Sequence, residues 1–331
     1  MKSKLIQTFG DLGGYQLARL VTANQPKILM YHRFNRIEKR HAVSAAVFEK
    51  QLKTIKRYFK PMTVTELAQC KQKVGTTPKH AVVITVDDGY RDFYEVAYPL
   101  LKYYDVPATF YVTTGFVNGD TWLWPDQVAW IINNKNPVSS TITLATRNFD
   151  LSQSFSELWW PIVSLFLSVS NKERLDGLKQ LEISCGVELP KRVPDSYSAV
   201  SWAELEEMQT NGIEIGGHTV THPSLGHMEL HEATEEIIQS SVDLTNWLGK
   251  RERSFCYPNG TPLDYSNSIK QAVINANYTA AVTAFSDAFN VDIPFAWRRF
   301  VGSEQPFQFN KSLFGVEHLG NRIRGTKRCN Y

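Results

Sequence analysis

The sequence predicts an α/β protein built on parallel strands, and three observations lead to this class. Short runs of apolar and β-branched residues at 26–32, 81–86 and 108–113 are typical of buried strands. The segments between them carry apolar residues at helical spacing. Strand, helix and strand in this order favour parallel βαβ units. A chain of 331 residues is long enough for one large α/β domain or two small ones.

The first half of the chain supplies clear boundaries for its elements. Glu66 lies three residues after Thr63, a spacing that predicts a capped helix start. Five of the six residues of the run 81–86 are apolar, which predicts a buried strand. We expect Pro99 to kink the helix that contains it. In order, the predicted elements are a strand at 26–32, helices from Ser44 and Thr63, a strand at 81–86, a helix at 92–104 and a strand at 108–113.

The alternation stops at residues 119–199 and then resumes. This stretch holds five tryptophans and a helix-rich pattern near 158–181, so we interpret it as an insertion. We expect Trp122 and Trp124 to pack in a core, with stacking on a sugar ring as the alternative. After the insertion the predicted elements are helices at 201–210, 229–249 and 265–276, and strands at 213–217, 254–257 and 279–282.

These patterns divide the chain into an N-terminal extension at 1–25, a main domain at 26–302 and a basic tail at 303–331. From Lys311 onward the tail carries five basic residues against Glu317 alone. We expect the tail to be solvated and partly disordered. The alternative is peripheral contact with anionic lipid or with a phosphorylated carrier.

Composition excludes several classes of protein. A net charge of +3 is too small to argue for a nucleic-acid partner. The four cysteines are scattered and lack metal or redox spacing, which fits reduced thiols. No run approaches the roughly 18 apolar residues of a membrane span, and Asp11 interrupts the short apolar stretch near the N-terminus. We therefore expect a cytoplasmic protein, with the inner membrane face as an alternative site.

Two adjacent carboxylates, Asp87 and Asp88, follow the strand at 81–86 and precede Gly89. Charges at the end of a buried strand are costly unless a metal, a cation or a shared proton compensates them. The alternative is a simple turn at Asp88–Gly89 with Asp87 as a helix cap.

A second motif, His218-Thr-Val-Thr-His222-Pro223, follows Gly216 and Gly217. The glycines, the β-branched residues and the proline all oppose a helix, so we expect a loop after a strand. The two imidazoles are either metal ligands or hydrogen-bonded surface groups. Together with one carboxylate they suit Zn²⁺ or a similar first-row ion.

Thr85-Val-Asp87-Asp88-Gly89 together with His218-x-x-x-His222 resembles the first two motifs of the polysaccharide deacetylases, carbohydrate esterase family 4. The resemblance covers roughly 26–118 and 200–302. It implies a distorted (β/α) barrel with a helical insertion, and it makes 26–302 the deacetylase catalytic domain. It also implies Asp87 as the catalytic base and Asp88, His218 and His222 as metal ligands. The implied metal is Zn²⁺, with Co²⁺ and Ni²⁺ as alternatives.

The third family motif departs from the usual pattern. Cys256 stands where the family has an Arg that holds the base. Arg298 and Arg299 are the candidates to replace it, because a guanidinium can hold Asp87 through two hydrogen bonds. We favour Arg299, because it resembles the single Arg found at this place in the branch of the family that deacetylates exopolysaccharides. The residues Tyr257, Pro258 and Asn259 complete this motif, and the Asn259 N–H is our candidate oxyanion donor.

The general acid also differs from the usual family position near the C-terminus. The motif Leu29-Met-Tyr-His32 resembles the branch that deacetylates exopolysaccharides, in which the order of the motifs is permuted. We therefore favour His32 as the acid over His318.

The resemblance implies removal of N-acetyl groups from a polysaccharide or glycan precursor in exopolysaccharide or lipopolysaccharide biosynthesis. The expected partner is an N-acetylated carbohydrate, without nucleic acid. Two alternatives stay open: an O-deacetylase or deformylase acting on a lipid-linked sugar, and a catalytically silent glycan-binding protein of the same fold.

Overall fold

The computed structural model describes residues 10–37 and 42–324. Its strands are β1 Lys27–Tyr31, β2 Phe34–Asn35, β3 Val43–Ser44, β4 Lys60–Pro61, β5 Ala81–Val86, β6 Ala108–Val112, β7 Thr141–Leu144, β8 Arg147–Asp150, β9 Ile213–Gly217, β10 Phe255–Cys256, β11 Ala281–Val282 and β12 Phe300–Val301. The main body is a curled sheet of parallel strands in the order β11-β10-β9-β6-β5-β1-β12, and β4 pairs with the first residues of β5. This half-barrel confirms the α/β barrel class.

Helices cover the outside of the sheet, because each parallel crossover needs one. All six residues of β5 are buried, as expected for a strand covered on both faces. The helices are α1 Tyr15–Val21, α2 Ala45–Tyr58, α3 Val64–Val74, α4 Tyr98–Tyr104, α5 Thr114–Asn118, α6 Trp124–Asn134, α7 Phe155–Phe166, α8 Asn171–Cys185, α9 Trp202–Thr210, α10 Leu230–Leu248, α11 Asn267–Asn275, α12 Pro306–Leu313 and α13 Val316–Arg324.

The helix predicted at 92–104 forms in two parts. A π-helical turn spans Phe93–Ala97, and α4 begins at Tyr98 with Pro99 in its first turn. Proline lacks the N–H that an uninterrupted helix would use, which explains the break at this point. The capping pattern predicted at Thr63 and Glu66 is present on both sides, through Thr63 Oγ1 and the Glu66 carboxylate.

The insertion has a small core of its own, formed by residues of α6, α7, α8 and the antiparallel hairpin β7–β8. The helix-rich pattern near 158–181 corresponds to α7 and α8, whereas α6 and the hairpin were not predicted. Trp122 and Trp124 are buried at 7% and 4% exposure, so both pack in cores rather than standing open to a ligand.

The prediction of a solvated tail is wrong for residues 306–324, which form α12 and α13. Phe309, Leu313 and Phe314 are buried against the barrel core, and His318 is 1% exposed. Burial of these apolar groups outweighs the positive charge of the segment. Lys327 and Arg328 of the predicted tail lie outside the described residues, as do residues 1–9 of the extension. Among the described helices, none has the length and apolar content to cross a bilayer.

Candidate active site

The candidate residues meet at the carboxyl edge of the parallel strands, where ligand sites of α/β sheets form. Asp87 and Asp88 follow β5, His32 follows β1, and His218 follows β9. Register explains this, because Tyr31 pairs with Val86 across β1 and β5. The residue after each strand therefore reaches the same level of the barrel.

Arg299 grips the buried carboxylate of Asp87 through two hydrogen bonds. Its Nη1 and Nη2 lie 2.7 Å from Asp87 Oδ1 and Oδ2. The guanidinium is fixed further by Thr85 Oγ1 at 2.9 Å and by the Thr283 carbonyl at 2.6 Å. The neighbouring Arg298 instead pairs with Asp287 at 2.8 Å. Arg299 is thus the cationic partner of Asp87, as predicted from the sequence, and Arg298 is not.

Charge keeps Asp87 ionised in this buried position. Burial by itself would raise the pKa of Asp87, but the adjacent Arg299 guanidinium lowers it below the usual range. The thiol of Cys256 adds a contact to each partner, 3.5 Å from Asp87 Oδ2 and 3.2 Å from Arg299 Nη2. Cys256 therefore contacts both members of the ion pair, and Arg299 supplies the positive charge.

The second carboxylate, Asp88, faces the two histidines. Its Oδ1 lies 3.4 Å from His218 Nε2 and 3.5 Å from His222 Nε2. His218 Nδ1 donates a hydrogen bond to the Cys256 carbonyl at 2.7 Å, which leaves Nε2 as the ring nitrogen available to a metal. Such a bond to the far nitrogen is how proteins orient a metal-binding imidazole.

These three donor atoms fit a divalent ion. Ligand atoms on a tetrahedral zinc, at about 2.0–2.1 Å each, lie roughly 3.3–3.5 Å apart. The two distances from Asp88 Oδ1 to the imidazole nitrogens, 3.4 Å and 3.5 Å, match this separation. A second group of Asp87, His218 and Cys256 also offers three close donor atoms. Both oxygens of Asp87 are already occupied by Arg299, so the Asp88 group is the better metal site.

The loop that carries the histidines is held in an unusual backbone shape. Thr219 and His222 have φ of 65° and 59°, and Asp88 opposite has φ of 83°. Positive φ in residues other than glycine costs energy and is concentrated at functional sites. Glu236 of α10 accepts the N–H groups of residues 220 and 221, and Trp124 donates its indole N–H to the His222 carbonyl at 3.1 Å. These hydrogen bonds from neighbouring elements therefore hold the loop in its conformation.

The two candidate acids lie in different places. His32 Nε2 is 3.8 Å from Asp87 Oδ2, and the side chain is 46% exposed at the mouth of the site. His318 lies in α13, and burial lowers its pKa to about 4. Only His32 is placed beside the carboxylate pair.

The third motif contributes backbone rather than side chains. The Tyr257 hydroxyl donates to the Phe295 carbonyl, so this side chain supports the fold. Asn259 has a φ of 58°, and no acceptor within the described residues takes its backbone N–H. Pro258 precedes it in the turn after β10.

A polar cluster beside the site escaped the sequence analysis. The Tyr90 hydroxyl donates to Asp126 Oδ2 at 2.6 Å, and the Arg33 guanidinium lies 3.8 Å from the Tyr90 ring centroid. Burial raises the pKa of Asp126 to about 7; the Tyr90 hydrogen bond and Arg33 oppose the shift, while Asp88 and Asp92 add to it. Asp126 belongs to the insertion, and no local pattern in the sequence marks it.

Asp126→Asn should change how stability depends on pH. The folded-state pKa of Asp126 lies above its unfolded value. Its contribution to the free energy of unfolding is therefore fully present below about pH 4 and is lost as the pH rises through about 7. Asparagine stays neutral. We expect the free energy of unfolding of the variant, measured relative to that of the native chain, to increase by about 2 kcal/mol from pH 5 to pH 8. Urea unfolding at both pH values, with metal chelated, measures this change.

The exposed Asp120, changed to Asn, controls for loss of a surface charge. Equal differences in unfolding free energy between variant and native chain at the two pH values would contradict the assignment to Asp126.

The geometry agrees with a known family. The family model of the polysaccharide deacetylases matches residues 74–141 and 169–281, more than half of the chain. The chain belongs to the polysaccharide deacetylase family. The matched residues include both aspartates and both histidines of the site, whereas His32 and Arg299 lie outside them.

Curated relatives within this family include the poly-beta-1,6-N-acetyl-D-glucosamine N-deacetylase of Staphylococcus aureus strain MSSA476, 40% identical over 85 residues. The enzyme of the same name from Staphylococcus epidermidis is 34% identical over 80 residues. The matched stretches cover 25% and 24% of this chain, and 29% and 27% of these relatives.

Solved deacetylase structures share the fold over most of the chain. The Streptococcus pyogenes deacetylase PplD, in complex with acetate, superposes with a TM-score of 0.57 at 20% identity, covering 86% of this chain and 96% of that one. IcaB from Ammonifex degensii gives 0.56 at 16% identity, covering 88% and 97%. The polysaccharide-deacetylase barrel is therefore the architecture of this protein.

Proposed function

We propose that this protein is a metal-dependent hydrolase that removes N-acetyl groups from an amino-sugar polymer. The observation that carries the proposal is the division of labour between adjacent carboxylates. Asp87 accepts hydrogen bonds from Arg299, and Asp88 lies close to the imidazole nitrogens of His218 and His222. A charged, oriented base beside three metal-binding atoms is an arrangement suited to metal-assisted amide hydrolysis.

The names of the relatives suggest the substrate. Both curated relatives are described as acting on poly-β-1,6-N-acetylglucosamine. This polymer is therefore our proposed substrate, with acetate and a free amino sugar as products.

Asp88, His218 and His222 would hold the divalent ion, and zinc is our first choice for a site with two imidazoles and one carboxylate. When bound, the ion polarises the acetamide carbonyl and acidifies a water molecule.

Residues of the chain carry out the proton transfers and stabilise the oxyanion. Asp87 takes a proton from the attacking water, and Arg299 keeps Asp87 ionised and oriented. The Asn259 N–H donates a hydrogen bond to the developing oxyanion. His32 gives a proton to the departing amine nitrogen as the carbon–nitrogen bond breaks. Its exposure at the mouth of the site lets it regain that proton from solvent.

Loss of the metal ligand tests the proposal. We expect the native chain, loaded with Zn²⁺, to release acetate from β-1,6-linked N-acetylglucosamine oligomers, and a chelator to stop the release. Asp88→Ala should lose both the metal and the activity. Metal analysis and an acetate assay measure these results.

Thermal unfolding adds a readout besides activity. Zn²⁺ at about 100 times its Kd should stabilise the native chain by about 2.7 kcal/mol and leave Asp88→Ala unchanged. The exposed-site variant Asp120→Ala is the matched control. Binding of oligomers without acetate release by the native chain, or full release after chelation, would overturn the proposal.

A further inference from the structure

A polar groove of about 1050 Å³ opens at the same edge of the barrel as the active site. Its walls come from the loops that follow β1 and β5, from α5, and from residues 191–201, where the chain returns from the insertion. The groove is therefore built by the barrel and by the end of the insertion together.

The groove is rigidly joined to the catalytic loop. Residues 198–200 run antiparallel to residues 89–91, with Arg91 N–H donating to the Ser198 carbonyl and Val200 N–H to the Gly89 carbonyl, both at 3.0 Å. Gly89 follows Asp88 directly. The floor of the groove is thus hydrogen-bonded to the turn that positions the proposed metal ligand.

Arg33 lines the groove and directly follows His32 in the chain. It donates to the Asp92 carboxylate at 2.5 Å and to the Ser196 carbonyl at 2.9 Å. These bonds join the loop after β1, which carries His32, to the returning segment. The groove is therefore lined by the same loop that carries the residue proposed to protonate the leaving amine.

The lining favours sugar hydroxyl groups over other ligands. It offers amides and hydroxyls such as Asn35, Ser196 and Ser201, together with charges of both signs, among them Arg192 and Asp195. Carboxylates in the lining oppose a simple anion, and the polar surface opposes an apolar molecule. Hydroxyl groups both donate and accept, so they suit such a mixed lining.

We propose that this groove binds the sugar units that flank the reacting unit of an amino-sugar polymer. The proposal rests on the function proposed above. Sites of about 300–1,000 Å³ hold drug-sized ligands, so the groove has room for more than one sugar ring. The insertion thereby sets the preference for a polymer over a short glycan.

Filling the groove tests this role. Ser196 is exposed and lines the groove, and the hydrogen bond from Arg33 goes to its backbone carbonyl rather than to its side chain. Ser196→Trp should lower the ratio of kcat/KM for a β-1,6-linked pentasaccharide to that for the disaccharide about tenfold, equivalent to about 1.4 kcal/mol of lost binding. Arg192→Ala, which adds no bulk, should lower the same ratio in the same direction.

Ser139→Trp, at an exposed serine of the insertion, is the matched control and should leave the ratio unchanged. An unchanged ratio in both Ser196→Trp and Arg192→Ala would overturn the groove proposal. Absence of acetate release by the native chain from either substrate would instead refute the proposed function. In that case calorimetry with the pentasaccharide decides: weaker binding by Ser196→Trp supports the groove, and equal binding overturns it.

Discussion

Asp87→Asn is expected to lower acetate release at least about a thousandfold while Zn²⁺ stays bound, because an amide cannot take the proton of the attacking water. The ligand atoms of Asp88, His218 and His222 are untouched by this change. Acetate release and metal content, measured on the same preparation, separate the base from the metal site. Normal turnover by the variant would rule out Asp87 as the base.

The same substitution also leaves a buried cation without its carboxylate partner. Arg299 is 1% exposed, and Asp87 is its carboxylate partner. Breaking a buried pair from one side costs about 3–5 kcal/mol, so Asp87→Asn should also unfold at lower denaturant concentration. Combining it with Arg299→Met removes the stranded charge, and apolar replacement of a whole buried pair is often close to neutral. A double variant that regains stability without activity would show that the loss is chemical.

The part of the site that is local in sequence could be predicted from sequence alone. Asp87 and Asp88 stand at the end of one buried strand, and His218 and His222 lie in one loop. Hydrophobic pattern and residue chemistry were enough to suggest a metal site for these residues, and the structure brings Asp88, His218 and His222 together.

Arg299 and the proposed acid His32 come from distant segments, and the resemblance to a family was needed to suggest them. Arg299 precedes β12, a strand of two residues that exists because it pairs with β1 across the closing edge of the barrel. Such a short strand carries no periodic signal. His32 was a strand-end histidine until the fold brought it beside Asp87.

Tertiary packing also explains the errors. The tail contained a usable signal, since Phe309 and Leu313 are four residues apart and lie on one face of α12. Its excess of Lys and Arg made it look solvated. Asp126 gave no signal at all, because its chemistry depends on its hydrogen bond from Tyr90 and on its burial in the fold.

Arg299→Lys is expected to shift the acidic limb of the pH profile of kcat/KM to higher pH. Arg299 holds the pKa of Asp87 below its usual range, so a weaker partner lets that pKa rise and the ionised base then exists only at higher pH. Lysine keeps the charge but cannot make the paired hydrogen bonds at 2.7 Å. Loss of one charge-assisted hydrogen bond corresponds to a shift of about one pH unit.

Arg299→Met removes the charge altogether and should have the larger effect. We expect about a hundredfold loss of kcat/KM at neutral pH, because the base is both less ionised and less well oriented. Arg298→Lys is the matched control: this neighbour is equally buried, but it pairs with Asp287 and not with Asp87. It should cost stability and leave the acidic limb in place. A shift of the acidic limb in Arg298→Lys, or no shift in Arg299→Lys, would contradict the role of Arg299. An arginine with a purely structural role would not set the pKa of the base.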